Sequence, residues 1–302
     1  MRGITRILSI GLAAAFIAGA CGGATTTTTP TATTASTATA APKPTFDATS
    51  YMAKLQANGK IRVGTQEDNT PFSVKNPTTS KWEGFDVDVA RELAKAIFGT
   101  DKDPDSYIEF VPVVSATRIP SLTDNKADVI IKTFTITEER KQQIDFSDVY
   151  FITGQRILVK KDNTTIKEAA DLAGKTVCAQ KGSTSEQNIT KATDGKAKPL
   201  LLDSYPACLL ALQQGQADAV STDETILFGL VKQDPNTKIV GKPFSDEPYG
   251  IGFKKDANGD RKGFVAFMNT WVGQLISSGT WAKIYEKHIT PVSNDKKQTP
   301  KG

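Results

Sequence analysis

From Tyr51 onward the chain alternates short β-rich runs with helical patterns, and this alternation constrains the fold more than any other feature of the sequence. The run at residues 61–64 is typical of a strand. Residues 85–97 instead place apolar side chains every four positions, as on one face of a helix, before Gly99 ends the pattern. The alternation continues to His288 and predicts an α/β fold with parallel sheets.

The other predicted elements follow the same two patterns, and the 302 residues leave room for about two domains. Strands are predicted at residues 107–113, 129–131, 157–159, 176–179, 200–202, 219–220 and 249–253. Helices are predicted at residues 119–122, 166–172, 185 onward, 209–215, 226–227, 264–275 and 281–285.

The N-terminus has the pattern of an export signal. Arg2 and Arg6 are basic, and residues 7–18 form an apolar run of about a dozen residues, shorter than the roughly 20 that a membrane-spanning helix needs. We expect residues 1–20 to be a lipoprotein signal peptide. The segment AGAC that ends at Cys21 resembles a bacterial lipobox, which implies that Cys21 carries lipid. Ordinary cleavage, with Cys21 as a bystander, is the alternative.

A low-complexity segment follows the signal. Residues 22–44 consist almost wholly of Thr, Ala, Gly, Ser and Pro, and such a composition cannot bury apolar surface. We therefore expect residues 21–50 to be a Thr/Ala/Pro-rich tether. A lipid, a tether and a globular body predict a protein that is lipid-anchored on the extracytoplasmic face of the cell membrane.

Two cysteines remain once Cys21 carries lipid. Cys178 and Cys208 form an even pair in an exported chain, which predicts a disulfide, and two buried free thiols are the alternative. The bridge would close a loop of about 30 residues and stabilise the fold by roughly 3 kcal/mol in the chain-entropy model.

Charge and residue counts exclude several classes of function. Without Arg2 and Arg6, 35 basic residues face 33 acidic ones, a balance too even for a nucleic-acid partner. The single histidine disfavours Ser-His-Asp triads and two-histidine metal sites, and three cysteines cannot form a four-thiolate zinc site. We expect no catalytic residue, no metal and no cofactor.

Six segments in order carry a resemblance to a known family. GFDVDVA at residues 84–90 resembles the signature of bacterial extracellular solute-binding proteins of family 3, the amino-acid receptors of ABC importers. The other segments that resemble the family are residues 133–140, 144–147, 171–175, 217–219 and 249–253. The resemblance spans residues 60–288. Cys178, Cys208 and residues 222–229 look most like the actinobacterial glutamate-binding members.

The resemblance implies a two-lobe α/β fold of the periplasmic-binding-protein type II, with the ligand in a cleft that closes by hinge bending. The first lobe would combine residues 51–155 and 249–290, and the second would be residues 156–248. The two β crossover strands would lie at residues 157–160 and 250–253, and a polar tail would follow at residues 291–302.

The resemblance also implies the groups that hold an α-amino acid. Arg140 matches the arginine that binds the α-carboxylate, for which a planar, permanently charged fork is suited. Thr133 and Thr135 match positions near the ligand's α-groups, and Asp223 matches the carboxylate that takes the ammonium. The alternatives are a surface helix charge for Arg140 and a helix N-cap for Asp223.

Ser183 and Thr184 precede a helix, whose N-terminus can bind an anion, with simple capping as the alternative. Arg118, in the segment that begins at Ser115, resembles the arginine with which acidic-amino-acid receptors hold the side-chain carboxylate. Gln66 departs from that pattern, because those receptors often have a second basic residue there.

Tyr205 matches a position near the ligand side chain, with a core or rim aromatic as the alternative. The expected function is to bind a polar or acidic L-amino acid and deliver it to an ABC permease, as a monomer and not as an enzyme. Glutamate is favoured, followed by aspartate, glutamine or asparagine. A ligand-sensing lipoprotein that signals to a membrane partner is one alternative. A dehydratase-like enzyme with Glu67 as general acid is another.

The lipid anchor predicts that Cys21→Ser releases the protein from the membrane fraction without changing ligand affinity, because the tether precedes the folded body. Membrane fractionation together with mass spectrometry of the N-terminus measures this. Retention of the variant on the membrane, with no acyl chain on the wild type, would contradict the prediction.

Overall fold

The computed structural model describes residues 43–100 and 102–293. The predicted signal peptide, Cys21, most of the tether and residues 294–302 of the tail lie outside this range. Within it, no helix combines the length and apolar character needed to cross a membrane.

The described residues contain two large mixed sheets with helices packed against them. The strands are β1 (Ile61–Thr65), β2 (Asp68–Asn69), β3 (Ser73–Lys75), β4 (Trp82–Glu83), β5 (Ile108–Pro112), β6 (Val129–Ile130), β7 (Ile144–Phe146), β8 (Phe151–Thr153), β9 (Gln155–Lys160), β10 (Thr176–Gln180), β11 (Lys198–Leu202), β12 (Ala219–Asp223), β13 (Thr237–Val240), β14 (Glu247–Tyr249) and β15 (Gly252–Lys254). The helices are α1 (Tyr51–Asn58), α2 (Phe85–Phe98), α3 (Arg118–Thr123), α4 (Glu138–Gln143), α5 (Thr184–Ala192), α6 (Tyr205–Gln213), α7 (Glu224–Gln233), α8 (Phe264–Ser277), α9 (Thr280–His288) and α10 (Thr290–Ser293).

The first lobe is built on a sheet with the strand order β5-β1-β6-β15-β7. β1 is parallel to β5 and β6, and β15 runs antiparallel to β6 and β7. The apolar stripe of α2 is buried, as its four-residue spacing predicted. Gly84 precedes this helix with φ +133°, and a Cβ there would lie 2.2 Å from the carbonyl oxygen of Phe72, so only glycine fits.

The second lobe has a sheet of similar design, ordered β11-β10-β12-β9-β13. β10 is parallel to β11 and β12, whereas β9 is antiparallel to β12 and β13. The predicted disulfide is confirmed, since Cys178 of β10 is bonded to Cys208 of α6. The bridge therefore ties the sheet to the helix that covers it.

The two lobes are joined by a separate pair of antiparallel strands, β8 and β14, in which Phe151 lies opposite Tyr249 and Thr153 opposite Glu247. The predicted crossover positions were wrong: residues 157–160 belong to β9, inside the second sheet, and residues 250–253 run into β15, inside the first. The prediction followed the strong apolar run at residues 157–159. It missed β8 because Ile152 is exposed and the apolar pattern there is weaker.

Three further predictions need correction. The helix predicted at residues 166–172 is only a 3₁₀ turn at Ala169–Leu172. The strand predicted at residues 249–253 is divided into β14 and β15, because its middle leaves one sheet before joining the other. The first residues of the predicted tail, 291–293, belong to α10.

Aromatic side chains hold the crossing strands in place. Phe151 lies 5.2 Å from both Phe72 and Phe85 and 5.5 Å from Tyr249, measured between ring centroids. Trp281 of α9 joins the same cluster and is buried. Such rings contribute both buried area and oriented contacts, and they pack the crossing strands against the first lobe.

The disulfide predicts a measurable stability contribution. Replacing Cys178 and Cys208 together by Ala should lower the free energy of unfolding by about 3 kcal/mol, because the 30-residue loop is no longer closed in the unfolded chain. Urea unfolding of the oxidised wild type and the variant measures this, and ligand preference should be unchanged. Two free thiols in native exported protein, found by mass spectrometry without reductant, would contradict the pairing.

Candidate functional site

A cavity of about 250 Å³ lies between the two lobes. Both lobes contribute to its wall: the lining residues include Ser115, Phe134 and Arg140 from the first and Gly182, Ser183 and Thr184 from the second. Larger open depressions of about 450 and 630 Å³ lie elsewhere on the described surface, but the buried charged groups do not converge on them. A small cavity with converging polar groups suits a small metabolite.

The site lies where strands from both sheets end. Gln66 follows β1, Lys132 and Thr133 follow β6, Gln180 ends β10 and Asp223 ends β12. Outside the carboxyl ends of the strands is where open α/β sheets bind ligands, because the loops that leave them can diverge. The fold therefore brings residues that are far apart in the sequence to one place.

Arg140 is buried beside the cavity, at 9% exposure. Its guanidinium donates to the Thr135 carbonyl at 2.7 Å and, across the cleft, to the Gly182 carbonyl at 3.3 Å. Burial lowers its pKa, and the negative charges of Glu247 and Asp223 oppose that effect. It is not a paired surface charge, so the alternative reading of this position is wrong.

Arg118 begins α3 and is 2% exposed. Its guanidinium lies 4.2 Å from the centre of the Phe134 ring and donates only to backbone carbonyls, among them Thr133 at 3.1 Å and Gly182 at 3.3 Å. Burial and, next, the charge of Arg140 lower its pKa well below the usual value. Arg118 thus sits at the cleft without a carboxylate partner among the described residues.

Lys132 is a third buried cation, at 1% exposure, and the sequence analysis missed it. Its Nζ donates to Ser115 Oγ at 2.9 Å and to Gln180 Oε1, on the second lobe, at 3.2 Å. Burial and then the charge of Arg118 lower its pKa well below the usual value. The signal that marks it is a lysine directly after an apolar strand, at the end of the strand that faces the cleft.

Asp223 is a buried anion whose charge raises the pKa of Arg118 and of Arg140 against the effect of burial. One oxygen accepts a hydrogen bond from the Tyr249 hydroxyl, while the other is buried with no partner in the described structure. Asp223 occupies the N-cap position of α7, but its side chain makes no cap hydrogen bond. Burial, and next the charge of Glu247, raise its pKa to about 7.

Glu247 of β14 was also missed. It is buried, and one carboxylate oxygen accepts from Thr135 Oγ1 at 2.6 Å and Thr184 Oγ1 at 2.7 Å. The other oxygen accepts from Asn188 Nδ2 and Ser245 Oγ, both at 2.7 Å. The hydroxyls of Thr135 and Thr184 are therefore engaged with this carboxylate of the crossing strand.

The remaining predicted residues lie around this centre. Thr133 has φ +37° and its amide donates to Asp86 at 3.0 Å. Gln66 accepts from Gln180 across the cleft at 2.9 Å. Ser183 lines the cavity in the N-cap position of α5 and makes no capping hydrogen bond.

Tyr205 is buried, with its hydroxyl 3.3 Å from Ser185 Oγ, and like most of the buried charged groups described above it does not itself line the cavity. Glu67, proposed as a general acid for the dehydratase alternative, is exposed and paired with Lys75 at 3.0 Å. A general acid needs a position beside the reacting group, so this geometry gives the enzyme reading no support.

The comparisons with known proteins agree with this architecture. The family model described as bacterial extracellular solute-binding proteins, family 3, matches residues 61–291. The chain belongs to this family. Its homologues are amino-acid-binding proteins of ABC importers rather than enzymes.

Relatives with different named ligands are similar to the chain. The glutamine-binding protein of Geobacillus stearothermophilus is 47% identical over 69% of this chain and 78% of that protein. The glutamate-binding protein GluB of Corynebacterium glutamicum is 34% identical over 79% of this chain and 81% of that protein. Among solved structures, an ancestral arginine-binding protein bound to arginine is 42% identical, with a TM-score of 0.69, and covers 76% of this chain and 98% of that one.

Proposed function

We propose that the chain binds an acidic L-amino acid in the interlobe cleft, with glutamate ahead of aspartate, glutamine and asparagine, and delivers it to an ABC importer. The observation that carries this proposal is a set of three buried cations without ion pairs. Arg118, Lys132 and Arg140 are all buried at the cleft, and none forms an ion pair with a carboxylate in the part of the chain that the structure describes. A buried cation without an anion is costly.

The charges favour an extra carboxylate on the ligand. The α-carboxylate pairs with Arg140 and the α-ammonium with the free oxygen of Asp223, which uses one cation and one anion. Arg118 and Lys132 then remain without an ion pair, because the other buried carboxylates near the cleft accept hydrogen bonds from hydroxyls and amides instead. A second carboxylate offsets their charge, whereas glutamine offers only a neutral carbonyl. Hydrogen bonds to charged groups contribute roughly 1.5–3 kcal/mol, against about 1 kcal/mol for neutral ones.

Glutamine is the second candidate, because the relative from Geobacillus stearothermophilus is named for it. The amide of Gln66, which accepts from Gln180 across the cleft and donates to Asp68, also keeps one donor and one acceptor site for a ligand amide. The buried cations weigh against this candidate, since an amide leaves their charge uncompensated.

The anchor and the division of the chain are part of the proposal. Cys21 carries lipid, residues 21–50 form the tether, and the body acts as a monomer on the extracytoplasmic face of the membrane. Residues 51–155 with 249–290 and residues 156–248 move as two lobes about the crossing strands β8 and β14. Membership of an extracellular solute-binding family supports this location.

Isothermal calorimetry of the Cys21→Ser protein with glutamate, aspartate, glutamine, asparagine and arginine tests the proposal. We expect glutamate to bind at least about tenfold more tightly than glutamine, from the difference between charged and neutral hydrogen bonds. Equal or tighter binding of glutamine would replace the acidic preference with the second candidate. Binding of none of the five would contradict the proposed ligand class.

Arg140→Ala should reduce glutamate affinity by about 30-fold or more, because removing one partner of a buried charged pair costs roughly 2–5 kcal/mol. Lys141→Ala is the matched control: it is the next residue of α4, but it is exposed and paired with Glu138, so affinity should be unchanged. An Arg140→Ala protein with affinity within about tenfold of wild type would place Arg140 outside the site.

Asp223 predicts a pH dependence of binding. Its carboxyl has a pKa of about 7 in the free protein, and only the ionised form pairs with an ammonium. Glutamate affinity should therefore rise by about tenfold per pH unit below about pH 7 and level off above it, with release of one proton. Calorimetry between about pH 5.5 and pH 8.5 measures both quantities.

Two variants separate Asp223 from its neighbours. Asp223→Asn should bind weakly and show no dependence on pH in this range. Asp86→Asn is the control, because the pKa of Asp86 is also raised to about 7, while its oxygens accept from Tyr150 and Thr133. A pH dependence that persists in Asp223→Asn and disappears in Asp86→Asn would move the ammonium away from Asp223.

A further inference from the structure

A purely structural role does not explain why the ammonium of Lys132 is buried. Its ammonium is buried between the lobes and uses two of its three donors, on Ser115 Oγ and Gln180 Oε1. Both acceptors are neutral. A methionine, which is one atom shorter, would fill most of the same space without the cost of burying a charge.

The carboxylates whose charges act on Lys132 form their hydrogen bonds with other groups. Asp86 and Asp68 are the carboxylates whose charges raise the pKa of Lys132 against the effect of burial. The oxygens of Asp86 accept from the Tyr150 hydroxyl at 2.8 Å and the Thr133 amide at 3.0 Å. Asp68 accepts from Gln66 at 2.6 Å. Neither forms an ion pair with Lys132, as far as the described residues show.

The partners of Lys132 place it in the cleft. Ser115 belongs to the first lobe and lines the cavity, and it donates to Gln180 Oε1 at 2.8 Å. Gln180 ends β10 of the second lobe and directly precedes the loop of Gly182 and Ser183, which also lines the cavity. The third donor of Lys132 is therefore within a network that spans both walls of the site.

Arg118 is less available than its charge suggests. Four of its five N–H donors go to the carbonyls of Ser115, Thr133, Lys132 and Gly182. These contacts hold the backbone around the cleft in place. One donor therefore remains on each residue, and the one on Lys132 is less constrained, because the partners of Lys132 are side chains whereas those of Arg118 are backbone carbonyls.

We propose that Lys132 binds the distal carboxylate of the ligand and is the residue that sets the preference for an acidic over an amide side chain. This inference rests on the proposed function and assigns its specificity to one residue. The ligand carboxylate accepts the third donor of Lys132, while Ser115 and Gln180 orient the ammonium from the two lobes.

The test is the ratio of glutamate to glutamine affinity in the Cys21→Ser protein and in two further variants. Lys132→Gln keeps a hydrogen-bond donor and removes the charge, and Lys132→Met keeps most of the length and removes both. In each variant glutamate should bind about tenfold or more weakly, while glutamine affinity changes by less than about threefold, so that the ratio collapses. Lys198→Gln is the matched control, because Lys198 is exposed at the end of β11 that lies away from the cleft.

The outcomes separate the two proposals. A wild type that prefers glutamate, with the same ratio in whichever Lys132 variant folds, overturns the role of Lys132 and leaves the proposed function intact. Equal losses for glutamate and glutamine also overturn it, since they mean that Lys132 supports the cleft without sensing charge. A wild type that binds neither amino acid removes the proposed function itself.

Discussion

The burial of positive charge between the two lobes, where strands of both sheets end, is the constraint on which the rest of this structure depends. Arg118, Lys132 and Arg140 are desolvated together, and their hydrogen bonds go to carbonyls and other neutral oxygens. Carbonyl dipoles satisfy the donors but do not cancel the charge. A ligand that carries carboxylates would supply the negative charge that the chain does not place in ion pairs with these cations. One carboxylate oxygen of Asp223 has no hydrogen-bond partner among the described residues, and a cationic group of the ligand would satisfy it.

Sequence patterns predicted the elements with regular or continuous apolar runs. The stripe on α2 repeats with the period of a helix, and β9 and β10 are short apolar runs whose alternate side chains lie in two different core clusters. The crossing strand β8 was not predicted, because it has only three residues and its Ile152 is exposed, so that it shows no clear apolar pattern. Family motifs, rather than periodicity, pointed to Arg140.

The missed site residues share a physical cause. Lys132 and Gln180 are 48 positions apart, and Glu247 and Thr135 are 112 apart, so no local pattern reveals that these groups meet. A lysine after an apolar strand resembles an ordinary solvent-facing strand end until the opposite lobe covers it. Thr135 was found through the resemblance, but its hydroxyl bonds to Glu247, a partner that only the tertiary fold supplies.

Glu247 connects the crossing strands to the charges of the cleft. It lies on the crossing strand β14, and its carboxylate accepts from Thr135 of the first lobe and Thr184 of the second. The same carboxylate raises the pKa of Asp223 and opposes the lowering of the pKa of Arg140 by burial. The ligand that we propose would pair with Asp223 and Arg140 and so change the charges beside Glu247. Ligand binding and the proposed movement of the lobes would then act on one hydrogen-bonded cluster, so that the ligand would favour the arrangement in which both lobes contact Glu247.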